Sequence, residues 1–217
     1  MRTKTLLAAA AIVAAGLASS QAQSNVYSLN VVGYVNSSYV PGFNLTANPL
    51  VNSTNNLNNI IKLAPDNTLA FIYDPIIQDF DANIPTFVAG PNVWSPSATI
   101  NPGVGFFLFT DTAFTNTYVG EVKQGTTTLA IQSAFNGVSS PAPIGGSLSN
   151  VLQSFPVNDN DLALQYDPIA QDFLNIATFV SGPNVWSPDL NVKVGEGLFY
   201  FSNTGSTTNW VRNFTVQ

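Results

Sequence analysis

The 217-residue chain has no cysteine and no histidine. The first absence removes a disulfide framework, a thiolate zinc site and a cysteine nucleophile; the second removes a Ser-His-Asp triad. Charge is scarce as well, with 6 Lys and Arg, 12 Asp and Glu, and 8% charged residues in all. A phosphate-binding surface needs clustered cations, so nucleic acid is not an expected partner. What the chain has instead is 45% apolar residues, 25 Asn and 19 Thr. Its polar surface must be built from amides and hydroxyls.

The N-terminus reads as an address. Arg2 and Lys4 precede an apolar run over residues 6–17, and Ser20-Gln21-Ala22 offers small residues at a cleavage site. This is the pattern of a secretory signal peptide over residues 1–22, too short in its apolar part to span a bilayer. Its removal leaves four basic against twelve acidic groups, a net charge of −8. No later run is long and apolar enough to cross a membrane, so a secreted or cell-surface protein is expected. Without disulfides, its stability must come from burial.

The mature chain is written twice. Tyr73-Asp74-Pro75-Ile76-Ile77-Gln78-Asp79-Phe80 returns as Tyr166-Asp167-Pro168-Ile169-Ala170-Gln171-Asp172-Phe173. Gly90-Pro91-Asn92-Val93-Trp94-Ser95-Pro96 returns as Gly182-Pro183-Asn184-Val185-Trp186-Ser187-Pro188. With one residue deleted between these blocks, 19 of the 23 residues in 166–188 match. Weaker matches join Gly103-Val104-Gly105 to Gly195-Glu196-Gly197, Phe43-Asn44 to Phe135-Asn136, and Thr117-Tyr118-Val119 to Asn209-Trp210-Val211. This is a tandem duplication of a domain-sized unit, with a first unit over 23–122 and a second over 123–217.

Short apolar runs bounded by Gly, Pro and Asn predict strands, and Asp-Pro-Ile-x-Gln predicts a hairpin tip. Leu57, Ile60 and Ile61, and likewise Leu148, Val151 and Leu152, fall at helical spacing. Each unit should therefore hold one short helix, with Thr54 and Ser147 as candidate caps. The connections are too short for parallel crossovers. The expected fold is all-β, with two tandem homologous β-sandwich or partly open barrel units.

Candidate sites follow from the repeats. The aromatic and amide residues Tyr73, Asn92, Trp94, Tyr166, Asn184 and Trp186 form the retained loops. They are read either as core and turn elements or as platforms for extracellular glycans, with Asn92 or Asn184 bonding a buried indole N–H. Paired carboxylates for a hydrolase are the weaker alternative, because most Asp residues sit at predicted turns and the first unit has Val104 at the position of Glu196. Asn158-Asp159-Asn160-Asp161 resembles the start of a calcium loop but lacks its later ligands, so no metal and no cofactor is expected. Strands near 27–35 and 210–216 are expected to have unpaired edges open to a second copy of the chain.

Three blocks carry a family resemblance: Gly42-Phe43-Asn44-Leu45-Thr46-Ala47-Asn48-Pro49, Pro102-Gly103-Val104-Gly105-Phe106-Phe107 and Tyr118-Val119-Gly120-Glu121. Together with Trp210-Val211-Arg212-Asn213-Phe214, they resemble uncharacterised secreted proteins with duplicated β-domains, common in Verrucomicrobia and related bacteria. The first block also resembles a β-module of exported Bacteroidetes proteins. The resemblance spans nearly the whole mature chain and implies export and a duplicated β fold. It brings no activity and no site residues. The expected function is a non-enzymatic extracellular or cell-envelope protein for assembly or adhesion, with a carbohydrate-binding module as the alternative.

Overall fold

The computed structural model describes residues 31–216. The expected signal peptide and its cleavage site at Ala22 lie outside the described residues, as does the start of the edge segment expected from residue 27. The first repeat runs β1 (Val32–Tyr39), β2 (Gly42–Ala47), α1 (Leu57–Ile60), β3 (Leu69–Asp74), β4 (Asp79–Phe80), β5 (Thr86–Val88), β6 (Val93–Ser95), β7 (Gly105–Thr110) and β8 (Phe114–Glu121). The second runs β9 (Gly125–Ile131), β10 (Ala134–Val138), β11 (Gly146–Ser147), α2 (Leu148–Val151), β12 (Leu162–Asp167), β13 (Asp172–Val180), β14 (Val185–Ser187), β15 (Asn191–Val192), β16 (Leu198–Ser202) and β17 (Thr208–Phe214).

Both repeats solve the same topology. The main sheets have the orders β2-β7-β3-β5-β6 and β10-β16-β12-β13-β14, and a two-stranded ribbon, β1-β8 or β9-β17, accompanies each. All of these named pairings are antiparallel. The fold is an all-β sandwich without a closed barrel. Alternation decides which side chains enter each core: Ala70, Phe106 and Leu108 from the first sheet meet Tyr118 of the ribbon and Leu57 and Ile60 of α1. Ala163, Leu198, Tyr200, Trp210, Leu148 and Val151 do the same in the second repeat. Each fully buried large side chain contributes on the order of 1.5–3 kcal/mol.

Two local expectations change. The cap of α1 is Asn56, whose side chain accepts from the Asn58 N–H at 3.0 Å, while the Thr54 hydroxyl accepts from the Asn59 side chain. Ser147 does cap α2, accepting from the Asn150 N–H. The match of Tyr118 to Trp210 is slipped by one strand period. Ser37 and Leu129 occupy equivalent places beside Pro49 and Pro141, yet Ser37 pairs with Asn116 and Leu129 with Trp210. Trp210 therefore stands where the first repeat has Asn116.

Tyr39 and Tyr118 meet in the first core with their hydroxyls 2.7 Å apart, and the Tyr39 hydroxyl also bonds Thr46. Burial pushes both phenols above the ordinary tyrosine range, and for Tyr118 the neighbouring Tyr39 adds to the rise. A folded-state pKa raised above an unfolded value of about 10 gives stability present in full below that pH and lost as pH climbs through the folded values. Thermal unfolding followed by circular dichroism should show a melting temperature insensitive to these groups up to about pH 9, falling above about pH 10. Tyr118→Phe should shallow that alkaline fall; an unchanged slope would remove this pair as its cause.

Candidate functional site

Of the two retained blocks, the Tyr-Asp-Pro hairpins converge on the seam between the repeats. At each hairpin tip the Asp carboxylate accepts the N–H two residues on: Ile76 to Asp74 and Ile169 to Asp167, both at 2.8 Å. The turn closes with Gln78 and Gln171 in the left-handed region, at φ of 57° and 58°. That conformation costs a non-glycine residue on the order of 1 kcal/mol or more. Their amides show what holds it in place. Gln171 Oε1 accepts from Phe43 N–H at 2.7 Å while Nε2 donates to Phe43 C=O at 3.0 Å. Gln78 makes the same pair to Phe135 of the second repeat, at 2.8 and 3.0 Å.

Each glutamine thus acts as one residue of an additional strand along the edge of the other repeat's sheet. The rest of that edge is covered by the Gly-x-Gly segments. Ala47 N–H donates to Gly195 C=O at 2.9 Å, and Ser139 N–H donates to Gly103 C=O at 2.9 Å. A Cβ on Gly197 would lie 2.7 Å from the Thr46 carbonyl oxygen, and one on Gly105 2.9 Å from that of Val138. Only glycine permits this approach. Edge strands β2 and β10, which would otherwise offer unpaired backbone groups, are closed against each other's repeat.

Aromatic rings fill the seam behind these bonds. Phe107 and Phe199 face one another with centroids 6.2 Å apart. Phe107 receives Tyr166 at 5.1 Å and Phe173 at 6.1 Å; Phe199 receives Tyr73 at 4.8 Å and Phe80 at 6.4 Å. The arrangement is an internal two-fold, in which the hairpin of one repeat docks on the central phenylalanine of the other. Burial raises the Tyr73 and Tyr166 phenols above their usual range, with the adjacent carboxylates adding to the effect. Both are therefore neutral at physiological pH.

The platform expectation is corrected by burial. Trp94 and Trp186 are only 2% and 6% exposed, packed on Phe87 and Phe179. Neither indole offers a face to a ligand. Trp94 Nε1 donates to the Ile61 carbonyl at 2.8 Å, so Asn92 is not its partner. Asn92 and Asn184 instead take left-handed turn positions, their N–H groups bonding Ala89 and Ser181 carbonyls. The Trp-bearing strands β6 and β14 lie at the sheet edges opposite to β2 and β10, so the structure brings Tyr73 and Tyr166 to the seam and leaves the tryptophans far along each sheet.

The carboxylates serve mainly local backbone. Asp66 accepts from Ala89 N–H, Asp81 from Asn83, Asp159 from Ser181 and Asp189 from Ser149. Asp161, the last residue of the calcium-like segment, is fully buried and bonds the Tyr200 hydroxyl and the N–H groups of Asn158 and Asn203. No group of three or more metal-ligating side chains occurs among the described residues. Glu196 bonds Gln165 Nε2 and the Lys193 N–H, each at 2.8 Å. The roles of Gln78, Gln171 and the glycines were not anticipated, although their identity in both repeats was the signal.

Comparison with family models, with curated proteins and with solved structures finds no match to this chain.

Replacing Gln78 and Gln171 by alanine removes at each site the two bonds to the facing Phe backbone, and at Gln78 a further bond to the Ser133 carbonyl. At about 0.5–1.5 kcal/mol per bond, each substitution should cost about 1–3 kcal/mol in urea unfolding. A loss within experimental error for both would mean the clamps are incidental.

Proposed function

We propose that the mature chain is an exported, non-enzymatic protein of the extracellular space or cell envelope, serving assembly or adhesion through its ribbon strands. One observation carries the reading. The outward positions of both ribbons carry one charge, Glu121 at the end of β8: the others are Val32, Tyr34, Asn36 and Ser38 on β1, Thr115, Thr117 and Val119 on β8, Thr126, Thr128 and Ala130 on β9, and Asn209, Val211 and Asn213 on β17. Proteins that must stay apart commonly place lysine or proline on such strands. Here β2 and β10 are closed at the seam, whereas β1 and β17 are each paired along one side only.

Each of these strands therefore keeps one unpaired side, to which a second copy can add by strand addition. Tyr34 is 72% exposed at the centre of the β1 face, opposite Val119. Sedimentation velocity over a concentration series of the chain from residue 23 should show mass rising above that of one chain. Tyr34→Lys with Val211→Lys should return it to a monomer. A strict monomer at the highest concentration overturns self-assembly.

A further inference from the structure

We propose that a cleft on one side of the seam binds a neutral carbohydrate, a mono- or disaccharide unit. The cleft holds about 330 Å³, within the range of small-molecule sites. Ser37, Ser38 and Thr46 of the first repeat line one wall, and Tyr166, Lys193 and Glu196 of the second line the other.

The internal two-fold supplies a comparison inside the same molecule. On the opposite side of the seam, Leu129 stands over Gly103, its Cδ1 2.3 Å from where a Cβ would be. The equivalent place over Gly195 holds the Ser37 hydroxyl at 3.4 Å, with Pro49 Cγ at 3.6 Å and the Ala47 carbonyl oxygen at 3.7 Å, and nothing closer. The same replacement recurs along the walls. Thr46 bridges Glu196 here, whereas the equivalent bridge pairs Val138 with Val104. Ser38 corresponds to Ala130, and Lys193 to Asn101. One side of the duplicated seam is plugged by Leu129 and has the more apolar wall, with Asn101 still polar; the other is open and lined by hydroxyls and two charged side chains. Packing needs only the former, since the repeats dock by the same glutamine and phenylalanine contacts on both sides.

The chemistry of the open side selects the ligand class. Lys193 and Glu196 bring one charge of each sign, so the cleft favours no ion. Glu196 is held by its bonds to Gln165 and the Lys193 N–H, which leave further lone pairs on both oxygens. A carboxylate acceptor, an ammonium donor and serine hydroxyls that do both complement a ligand whose hydroxyls donate and accept. Tyr166, half-buried with its edge against Phe107, adds an apolar ring surface. A sugar presents this mixture; a hydrocarbon or a phosphate does not.

Ser37 and Ser38 lie on β1, so the titration is made at a concentration where sedimentation shows a monomer, which separates sugar binding from assembly. The chain from residue 23 is titrated with D-glucose, D-galactose, D-mannose, N-acetyl-D-glucosamine and cellobiose, by calorimetry and by amide chemical shifts. At least one sugar should bind in the millimolar range and shift resonances of residues 37–38 and 193–196. Ser37→Leu, which reproduces the plug of the other side, and Glu196→Val, its wall residue, should each weaken binding by about ten-fold or more. Should Ser37→Leu fail to fold, Glu196→Val decides alone. No binding by any of the five sugars, or binding that Glu196→Val leaves unchanged, overturns the proposal.

Discussion

Replacing Phe107 and Phe199 together by alanine should cost more stability than any other pair of changes at the seam. Phe→Ala in a packed interior costs about 3–5 kcal/mol. Phe107 is buried, so its single change should fall in that range, and half-buried Phe199 should lose less. The rings touch, so the double change should be less than additive. Its shape matters as much as its size. Neither ring belongs to either repeat's own core, which lies on the far side of each sheet. Urea unfolding should therefore pass from one transition to two, or broaden with a lower m-value, as the repeats lose their coupling. A single sharp transition with less than about 1 kcal/mol lost would show that the seam contributes little.

Asp161→Ala should be the most damaging substitution of a polar side chain in the second core. The carboxylate is 0% exposed and satisfies a phenol and two backbone N–H groups. Its removal leaves the buried Tyr200 hydroxyl only the Pro156 carbonyl at 3.5 Å and frees two part-buried backbone N–H groups, so the cost is about 1–3 kcal/mol for the phenol and less for each amide. A loss of about 2–4 kcal/mol in equilibrium unfolding is expected. The first repeat holds the remedy. There Thr68 takes the place of Asp161, bonding the Pro65 carbonyl, and buried Leu108 takes the place of Tyr200. Asp161→Thr combined with Tyr200→Leu should recover much of the loss. If Asp161→Ala loses under about 1 kcal/mol, the network is not what secures this loop.

The duplication, the all-β character and the hairpin tips were legible because they rest on local chemistry. Asp-Pro turns and short apolar runs bounded by glycine signal themselves residue by residue. Four things escaped for physical reasons. A strand repeats its faces every two residues, so the two-residue slip that puts Trp210 in the place of Asn116 leaves the pattern unchanged. A retained tryptophan has the same letter in a core and on a platform; only the sheet above it distinguishes them. The amides of Gln78 and Gln171 reach partners 57 and 128 residues away, and no local pattern points across that separation. The cleft was least visible of all, since its polar residues differ between the repeats, while attention to repeats favours what they share.

The seam has the form of a contact between identical subunits, with each half giving the other a hairpin and receiving one. In a true homodimer every substitution arises twice, so both sides of the interface must change together. Here only residues 122–124 separate β8 from β9, and they keep the partner permanently at hand without a concentration threshold. Fusion therefore releases the halves from evolving in step: Leu129 can go on filling its side while Ser37 leaves the other vacant.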